Sequence, residues 1–293
     1  MYEEVVERIW PGRKAQVTVL GGGITNHNLK VELDGGDAFV LRISGSQTGL
    51  LGIDRRVEYE ASLAAAAVGV GPEVVAFVEP EGYLVTRFIE GEVVPLERMR
   101  EPDVIRRVAA ALRPVHNGPP LSRRFDAFRI VEDYRSTAFA HGAPVPAEYV
   151  RARQIAGAIE RARGPIPERP CHNDLLNANF IDDGSRIRIV DWEYAGMGDI
   201  FFDLANFAVN HELDEDGRAE LLTAYFGDVR PADVRALEMM RFMSLFREAM
   251  WGVVQTAVSE LDFDFATYAE EHFARTAALA EEPAFEGALA GVA

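Results

Sequence analysis

One short stretch, residues 171–196, constrains the fold of this 293-residue chain more than any other part of the sequence. It reads CHNDLLNANFIDDGSRIRIVDWEYAG and contains two short apolar runs, 179–181 and 186–190. The dipeptide Asp183-Gly184 between these runs is typical of a tight turn, so the stretch predicts a small β-hairpin. A hairpin brings the residues before its first strand close to those after its second strand.

Three polar residues occupy the two ends of this predicted hairpin. Asp174 and Asn179 lie on the loop that enters it, and Asp191 follows its second strand. Because the ends meet, Asn179 and Asp191 can face one point, where an amide oxygen and a carboxylate suit Mg²⁺ together with phosphate oxygens. Asp174 remains available as a base for a hydroxyl group. This set is what phosphoryl transfer requires, because that reaction depends on positioning and charge neutralisation.

The hydrophobic pattern changes from strands to helices along the chain. Alternation and glycine-containing turns predict strands across 16–44 and 73–89, with a helix between them. After residue 95 helical periodicity predominates, interrupted by the hairpin stretch. The fold class is therefore α+β with two lobes joined by a hinge. The predicted segments are a β-rich lobe at 1–90, a helical lobe at 91–280 and a flexible tail at 281–293.

Composition limits the partners and the compartment. The net charge of −17 disfavours binding to nucleic acid, which needs a basic surface, and favours the approach of cations. A single cysteine, Cys171, excludes an internal disulfide and fits a reducing compartment. No apolar run reaches the roughly 18 residues of a membrane helix, and the charged first residues do not resemble a signal peptide. We therefore expect a cytoplasmic protein without a membrane span.

The motifs around the hairpin resemble those of a known enzyme family. HNDLLNAN resembles the catalytic loop His-x-Asp-x-x-x-x-Asn of the protein-kinase-like superfamily, and DWE resembles its metal-binding Asp-Phe-Gly. Together with FFDLAN, the series is most similar to choline and ethanolamine kinases and next to aminoglycoside phosphotransferases, over about 19–273. The resemblance implies a protein-kinase-like fold, ATP and Mg²⁺ as cofactors, and transfer of the γ-phosphate to a hydroxyl of a small cationic amino alcohol.

The resemblance also assigns roles to the hairpin residues. Asp174 would orient and deprotonate the hydroxyl, while Asn179 and Asp191 would be catalytic as the ligands that hold Mg²⁺ on the ATP phosphates. The segment GGGITNHN resembles the loop that covers the phosphates, although Asn26 replaces the last glycine of Gly-x-Gly-x-x-Gly. Asp203 of FFDLAN matches an aspartate that braces the catalytic loop.

Seven residues are implied at the nucleotide: Gly23, Thr25, Asn26, Arg42, Glu58, Thr86 and Phe88. Arg42 stands on the strand where protein kinases carry a lysine, and its guanidinium can grip phosphate oxygens and a carboxylate together. Glu58 on the following helix is its expected partner. The segment 86–89 is the predicted hinge whose backbone contacts adenine.

Six residues are implied at the acceptor: Asp174, Trp192, Glu193, Glu248, Trp251 and Tyr268. Trp251 and Tyr268 match positions of an aromatic cage, which favours a quaternary ammonium. Glu248 stands where the family has a second tryptophan, and a carboxylate there suits a primary or secondary amine. Asn210 and Leu176 also depart from the family pattern, so the acceptor stays open between choline and other amino alcohols.

Several of these features have a second interpretation. Trp251 and Tyr268 on helical segments are as typical of a core as of a ligand contact. His172 is interpreted as a scaffold residue, and His116 as having no chemical role. Within the same fold the acceptor is open to an aminoglycoside or thiamine, and a pseudokinase is the non-enzyme alternative, which the complete catalytic set disfavours. Neither H-E-x-x-H nor G-x-x-x-x-G-K-[ST] occurs, so a metallohydrolase and a P-loop protein are disfavoured.

Overall fold

An antiparallel sheet with two helices forms the amino-terminal lobe. The structure is a computed structural model that describes residues 2–21, 26–45, 48–259 and 261–291. The elements of this lobe are α1 (Tyr2–Ile9), β1 (Ala15–Leu20), β2 (Asn26–Leu33), β3 (Ala38–Ser44), α2 (Arg55–Ala67), β4 (Val74–Val78) and β5 (Tyr83–Arg87). The strand order is β1-β2-β3-β5-β4, and every neighbouring pair is antiparallel.

The alternating pattern of β2 explains how this sheet buries one face. Leu29, Val31 and Leu33 are buried, and the residues between them are partly exposed. These side chains pack with Phe39 of β3 and with Val6 of α1 in a small core of their own. Because successive side chains of a strand point to opposite faces, the other face of the sheet is left for the cleft between the lobes.

Helices dominate the rest of the chain. The elements are β6 (Glu92–Val93), α3 (Pro102–His116), α4 (Ala127–Ala140), α5 (Glu148–Arg163), β7 (Arg169–Cys171), β8 (Phe180–Asp182), β9 (Ile187–Ile189), β10 (Gly196–Gly198), α6 (Ile200–Asn210), α7 (Glu215–Phe226), α8 (Pro231–Val258), α9 (Phe265–Leu279) and α10 (Pro283–Ala290). Helix α8 is central, because it packs against α4, α6, α9 and α10. No described helix combines the length and the hydropathy that crossing a bilayer requires.

Helix α8 buries charged side chains as well as apolar ones. Every residue from 236 to 255 is buried, including two glutamates and two arginines of this helix. Burying a charge is costly unless it is paired and hydrogen-bonded. The charged residues of α8 therefore need partners inside the lobe, and they mark places where the fold is organised around something other than apolar packing.

The predicted hairpin is confirmed, and it lies beside the connection between the lobes. Strand β8 pairs antiparallel with β9, and it also pairs with β6, which follows the last strand of the large sheet. Gly91 permits this close approach, because a Cβ atom there would lie 2.5 Å from the carbonyl oxygen of Asp182. The motif-bearing loop is thereby held next to the segment where the chain passes from one lobe to the other.

The α+β class is confirmed, but two helices differ from the sequence prediction. The structure adds α4 at 127–140, for which no element was predicted. The flexible tail expected at 281–293 is wrong for 283–290, which form α10. Phe285 is buried and stacks on Phe242 of α8, with ring centroids 5.4 Å apart. A short helix of this kind depends on the surface that it covers, which the local sequence does not reveal.

We expect Phe285→Ala to lower the free energy of unfolding by about 3–5 kcal/mol, because it opens a cavity between α10 and α8. Chemical denaturation measures this change. The matched control is Phe139→Ala, which removes a ring that is 80% exposed and should change the same free energy by less than about 0.5 kcal/mol. Equal effects of the two changes would show that α10 is not part of the folded lobe.

Candidate functional site

His172 fixes the path of the motif loop and has no free nitrogen for chemistry. Its Nε2 lies 2.9 Å from the carbonyl oxygen of Val190, and the backbone N–H of Asp174 donates to its Nδ1 over 3.2 Å. The ring therefore carries its proton on Nε2, and burial lowers the pKa of His172, so it is neutral. This geometry agrees with the interpretation of His172 as a scaffold residue.

The carboxylate of Asp203 on α6 holds the backbone of the same loop. Its carboxylate accepts hydrogen bonds from the backbone N–H groups of His172, at 2.7 Å, and Asn173, at 2.6 Å. Asn173 has a φ of 67°, a strained conformation that these bonds hold in place. His116 completes the brace, since Nε2 lies 3.0 Å from Asp203 and Nδ1 lies 2.7 Å from the Tyr225 hydroxyl. His116 is thus structural, and only its distant partners reveal that role.

The structure places both predicted metal ligands on the wall of one cleft. Asn179 and Asp191 both line it, and the backbone of Asn179 bonds to Val190 next to Asp191. The Asn179 Nδ2 donates to the carbonyl oxygen of Asp174 over 2.9 Å, which turns the amide oxygen the other way. Within the described residues that amide oxygen has no hydrogen bond. Asp191 has a φ of 70°, so its carboxylate is turned out of the strand direction.

Arg42 lies at the centre of a buried group of charges between the lobes. Its nitrogens lie 3.0 Å from Glu58 on α2, 2.5 Å from Asp191 and 3.1 Å from Glu193. Burial disfavours the cation, but the three carboxylates outweigh this effect, and the pKa of Arg42 lies above its ordinary value. The expected contact between Arg42 and Glu58 is thus present. Burial raises the pKa of Glu58, and Arg42 opposes that rise.

Arg55, which the sequence analysis did not include, is a second cation in this group. Its Nη1 lies 2.7 Å from Glu58 and 3.1 Å from Glu193, and its Nη2 donates to Asn26 over 2.8 Å. Asn26 in turn donates to Glu193 over 2.8 Å. The i,i+3 spacing of Arg55 and Glu58 is the one local signal that could have indicated it. Asn26, next to the glycine-rich segment, is thereby tied to the helical lobe.

Glu193 and Trp192, which were predicted at the acceptor, are buried next to Asp191, and Trp192 lines the same cleft as Asp191. Glu193 is buried among the charges around Arg42. Trp192 is buried as well, with its Nε1 donating to the carbonyl oxygen of Ile189 and its ring 4.6 Å from that of His172. Glu193 directly precedes Tyr194, which contacts Arg247, and the predicted acceptor contacts of Glu193 and Trp192 stay a prediction.

A cleft of about 460 Å³ lies between the two lobes. The sheet contributes Leu20, Val40, Arg42, Leu84 and Thr86, the connecting segment contributes Arg87, Phe88 and Ile89, and the helical lobe contributes Asn179, Ile181, Val190 and Asp191. Its walls are apolar at one end and charged at the other, which suits a flat base and a phosphate chain. Gly23 and Thr25, which were predicted at the phosphates, lie outside the described residues.

A second group of polar and aromatic side chains includes Asp174. We call it the Arg247 cluster, and its members are Asp174, Tyr194, Arg247, Glu248, Trp251 and Tyr268. Arg247 forms a short ion pair with Glu248, and its Nη1 lies 3.7 Å from Asp174. Its guanidinium carbon lies 4.4 Å from the centre of the Tyr194 ring. Burial raises the pKa of Asp174, and Arg247 opposes that rise. Glu248 is the sequence neighbour of Arg247, but Asp174 and Tyr194, which place Arg247 beside the motif loop, lie far from it along the chain.

The expected aromatic residues belong to this cluster, where they contact one another. The indole Nε1 of Trp251 donates to the Tyr194 hydroxyl over 2.9 Å. Trp251 meets the ring of Tyr268 edge-on at 5.7 Å, and the Tyr268 hydroxyl donates to Glu248 over 3.0 Å. Asn210 is occupied elsewhere, because its Nδ2 donates to the carbonyl oxygen of Leu175. Trp251 and Tyr268 therefore pack against other side chains and also belong to the cluster that includes Asp174.

Comparison with known proteins places this geometry in context. A model described as "Phosphotransferase enzyme family" matches residues 16–240, which is most of the chain. Ethanolamine kinase 2 of Rattus norvegicus is 29% identical over 90% of this chain and 76% of its own length.

Solved structures agree. A choline/ethanolamine kinase family protein from Mesorhizobium loti superposes with a TM-score of 0.85 at 32% identity, covering 100% of this chain and 99% of that one. The choline kinase LicA from Streptococcus pneumoniae shares the fold, with a TM-score of 0.81 at 21% identity over 96% of this chain and 98% of that one. This chain therefore belongs to the phosphotransferase enzyme family and, within it, to the choline/ethanolamine kinase family.

Proposed function

We propose that the protein transfers the γ-phosphate of ATP to the hydroxyl of a small cationic amino alcohol. The observation that carries this proposal is the position of Asp174. Its backbone oxygen contacts Asn179 of the nucleotide cleft, and its carboxylate faces Arg247 of the Arg247 cluster. A group that borders two sites at once is placed where a donor phosphate and an acceptor hydroxyl meet.

The cleft between the lobes would hold ATP. The apolar end, with Leu20, Val40 and Ile181, suits the adenine base, and the segment 86–89 offers backbone groups to its edge. Arg42 lies at the charged end, where its guanidinium can also contact phosphate oxygens. Its buried partners hold it in place, so little rotational freedom is lost when a phosphate binds.

The donor set at the charged end also fits Mg²⁺. Asn179 offers an amide oxygen without a hydrogen bond among the described residues, and Asp191 offers a carboxylate that Arg42 contacts through one oxygen only. Hard oxygen ligands of this kind are the ones that Mg²⁺ prefers. When bound there, Mg²⁺ would neutralise charge on the phosphates. Arg42 would meanwhile hold Asp191 in its cleft-facing orientation.

Asp174 would act on the acceptor. Its carboxylate is not among those paired with Arg42 and lies 3.7 Å from Arg247. It can accept the hydroxyl proton and orient the oxygen toward the γ-phosphate, while burial raises its pKa and so strengthens it as a base. The bond between that oxygen and phosphorus forms as the bond to the leaving β-phosphate oxygen breaks, and ADP leaves.

The size of the Arg247 cluster favours a small acceptor over an aminoglycoside. Arg247, Glu248 and Trp251 are buried, with Arg247 paired to Glu248 and Trp251 bonded to the Tyr194 hydroxyl. An aminoglycoside carries several ammonium groups and would require a wide acidic surface. When ionised, Arg247, Glu248 and the base Asp174 together carry one net negative charge, which suits a single cation.

We expect Asp174→Asn to lower kcat by about 100-fold or more, because the amide cannot accept the hydroxyl proton. The Kd for ATP, measured by calorimetry, should change less than about threefold, since Asp174 does not line the cleft. Asp133→Asn, an exposed site on α4, is the control and should leave both values unchanged. Retention of most activity in Asp174→Asn would contradict the assignment of the base.

A second expectation concerns Arg42→Lys. The lysine keeps one positive charge but cannot contact three carboxylates and a phosphate with a planar fork. The KM for ATP should rise about tenfold or more, while the KM for the acceptor stays within about twofold. Arg56→Lys on the exposed side of α2 is the control, and steady-state kinetics with varied ATP measure the difference. An unchanged KM for ATP would show that Arg42 has only a structural role.

A further inference from the structure

We propose that Glu248 selects acceptors whose ammonium nitrogen carries at least one N–H bond. Ethanolamine and its N-methyl and N,N-dimethyl derivatives meet this condition when protonated, whereas a quaternary trimethylammonium does not. The inference rests on the proposed function and deepens it, because it names the class of acceptor. It follows from the bonds of Glu248, from the charge of the Arg247 cluster and from the orientation of its aromatic rings.

Each oxygen of the Glu248 carboxylate has one partner within the described part of the protein. Glu248 is buried on α8, where its Oε1 contacts Arg247 and its Oε2 accepts the Tyr268 hydroxyl. A carboxylate oxygen can accept more than one hydrogen bond, so each oxygen keeps capacity for a further donor. An ammonium N–H can use that capacity. A trimethylammonium brings only methyl groups to the carboxylate and leaves that hydrogen-bonding capacity unused.

The charges of the Arg247 cluster also favour a single ammonium group. Arg247 lies against both Glu248 and Asp174, so one cation serves two carboxylates. In the ionised state the three groups together carry one excess negative charge. A buried site of this kind is stabilised by a single added cation that forms hydrogen bonds. An acceptor with one ammonium group supplies that charge.

The aromatic rings give an independent reason against a quaternary ammonium. Such a cation binds best over the faces of several rings. The Arg247 guanidinium already lies over the ring of Tyr194, with the carbon 4.4 Å from its centre. Trp251 is fixed by its bond to the Tyr194 hydroxyl and meets Tyr268 edge to face. The protein's own cation thus uses a ring face that a trimethylammonium would need.

The spacing of the two carboxylates fits a short acceptor. Asp174 and Glu248 both approach the same nitrogen, Nη1 of Arg247, so one small molecule can contact both carboxylates. A two-carbon chain between a hydroxyl and an ammonium nitrogen can reach from Asp174 to Glu248. The hydroxyl would then lie at the base while the N–H group bonds to Glu248.

The test uses the intact protein with Mg-ATP and four acceptors that differ only in methylation: ethanolamine, N-methylethanolamine, N,N-dimethylethanolamine and choline. We expect kcat/KM to change little over the first three and to fall by about 100-fold or more at choline, because only the last methyl group removes the final N–H. A value for choline equal to or above that for ethanolamine would overturn the inference. A gradual decline with each methyl group would also overturn it, since that pattern indicates exclusion by size.

A matched pair of substitutions tests whether Glu248 is responsible. Glu248→Gln should lower kcat/KM for ethanolamine about 10- to 100-fold through the acceptor KM, and should shrink the step between the dimethyl and trimethyl acceptors. Glu238→Gln is the control, because Glu238 is another buried glutamate of α8 that pairs with two arginines, Arg218 and Arg241. It should preserve the order of acceptors. An unchanged step in a folded Glu248→Gln protein would overturn the role of Glu248.

Different results would contradict the proposed kinase activity and the role of Glu248. Turnover of choline with no preference for N–H acceptors would leave the amino-alcohol kinase activity in place and remove only the role of Glu248. An absence of turnover with all four acceptors, despite ATP binding, would overturn the proposed function and the inference with it. The comparison of acceptors in the unaltered protein does not depend on the folding of any variant.

Discussion

The structure depends on the burial of one cation, Arg42, between two lobes that carry its partners. Glu58 comes from the amino-terminal lobe, while Asp191 and Glu193 come from the loop after the hairpin. Removing a charge from water costs several kcal/mol, and only complete pairing offsets that cost. Moving the lobes apart would leave Arg42 with a single carboxylate. The closed position of the sheet over the motif loop is therefore tied to this group of charges.

A second buried arginine has a similar role on the other side of the motif loop. Arg247 contacts Glu248 and Asp174, as Arg42 contacts Glu193 and Asp191. In each case one of the contacted carboxylates belongs to Asp191 or Asp174, for which we propose a role in the reaction. Two buried arginines thus contact the two aspartates near the ends of the hairpin. The hinge and the hairpin give this arrangement its frame, and the chemistry is carried by side chains that converge from both lobes.

The core of the site could be predicted from the sequence because its geometry is local. A hairpin brings Asn179 and Asp191 together whatever surrounds it, and the α+β order follows from the change in hydrophobic period. Arg55 and Arg247 each pair with a carboxylate of their own helix, but their contacts with Glu193 and Asp174 join different elements and could not be predicted in this way. The pairing of Glu193 with Arg42 and Arg55 was not predicted for the same reason.

The most direct test of the central claim is phosphorus NMR of a reaction that contains the protein, Mg-ATP and ethanolamine. The account predicts one equivalent of a phosphate monoester of the amino alcohol for each ADP formed. It also predicts that inorganic phosphate stays at the level of a reaction without acceptor. ADP accompanied only by inorganic phosphate, or no ADP at all from a protein that binds ATP, would contradict it.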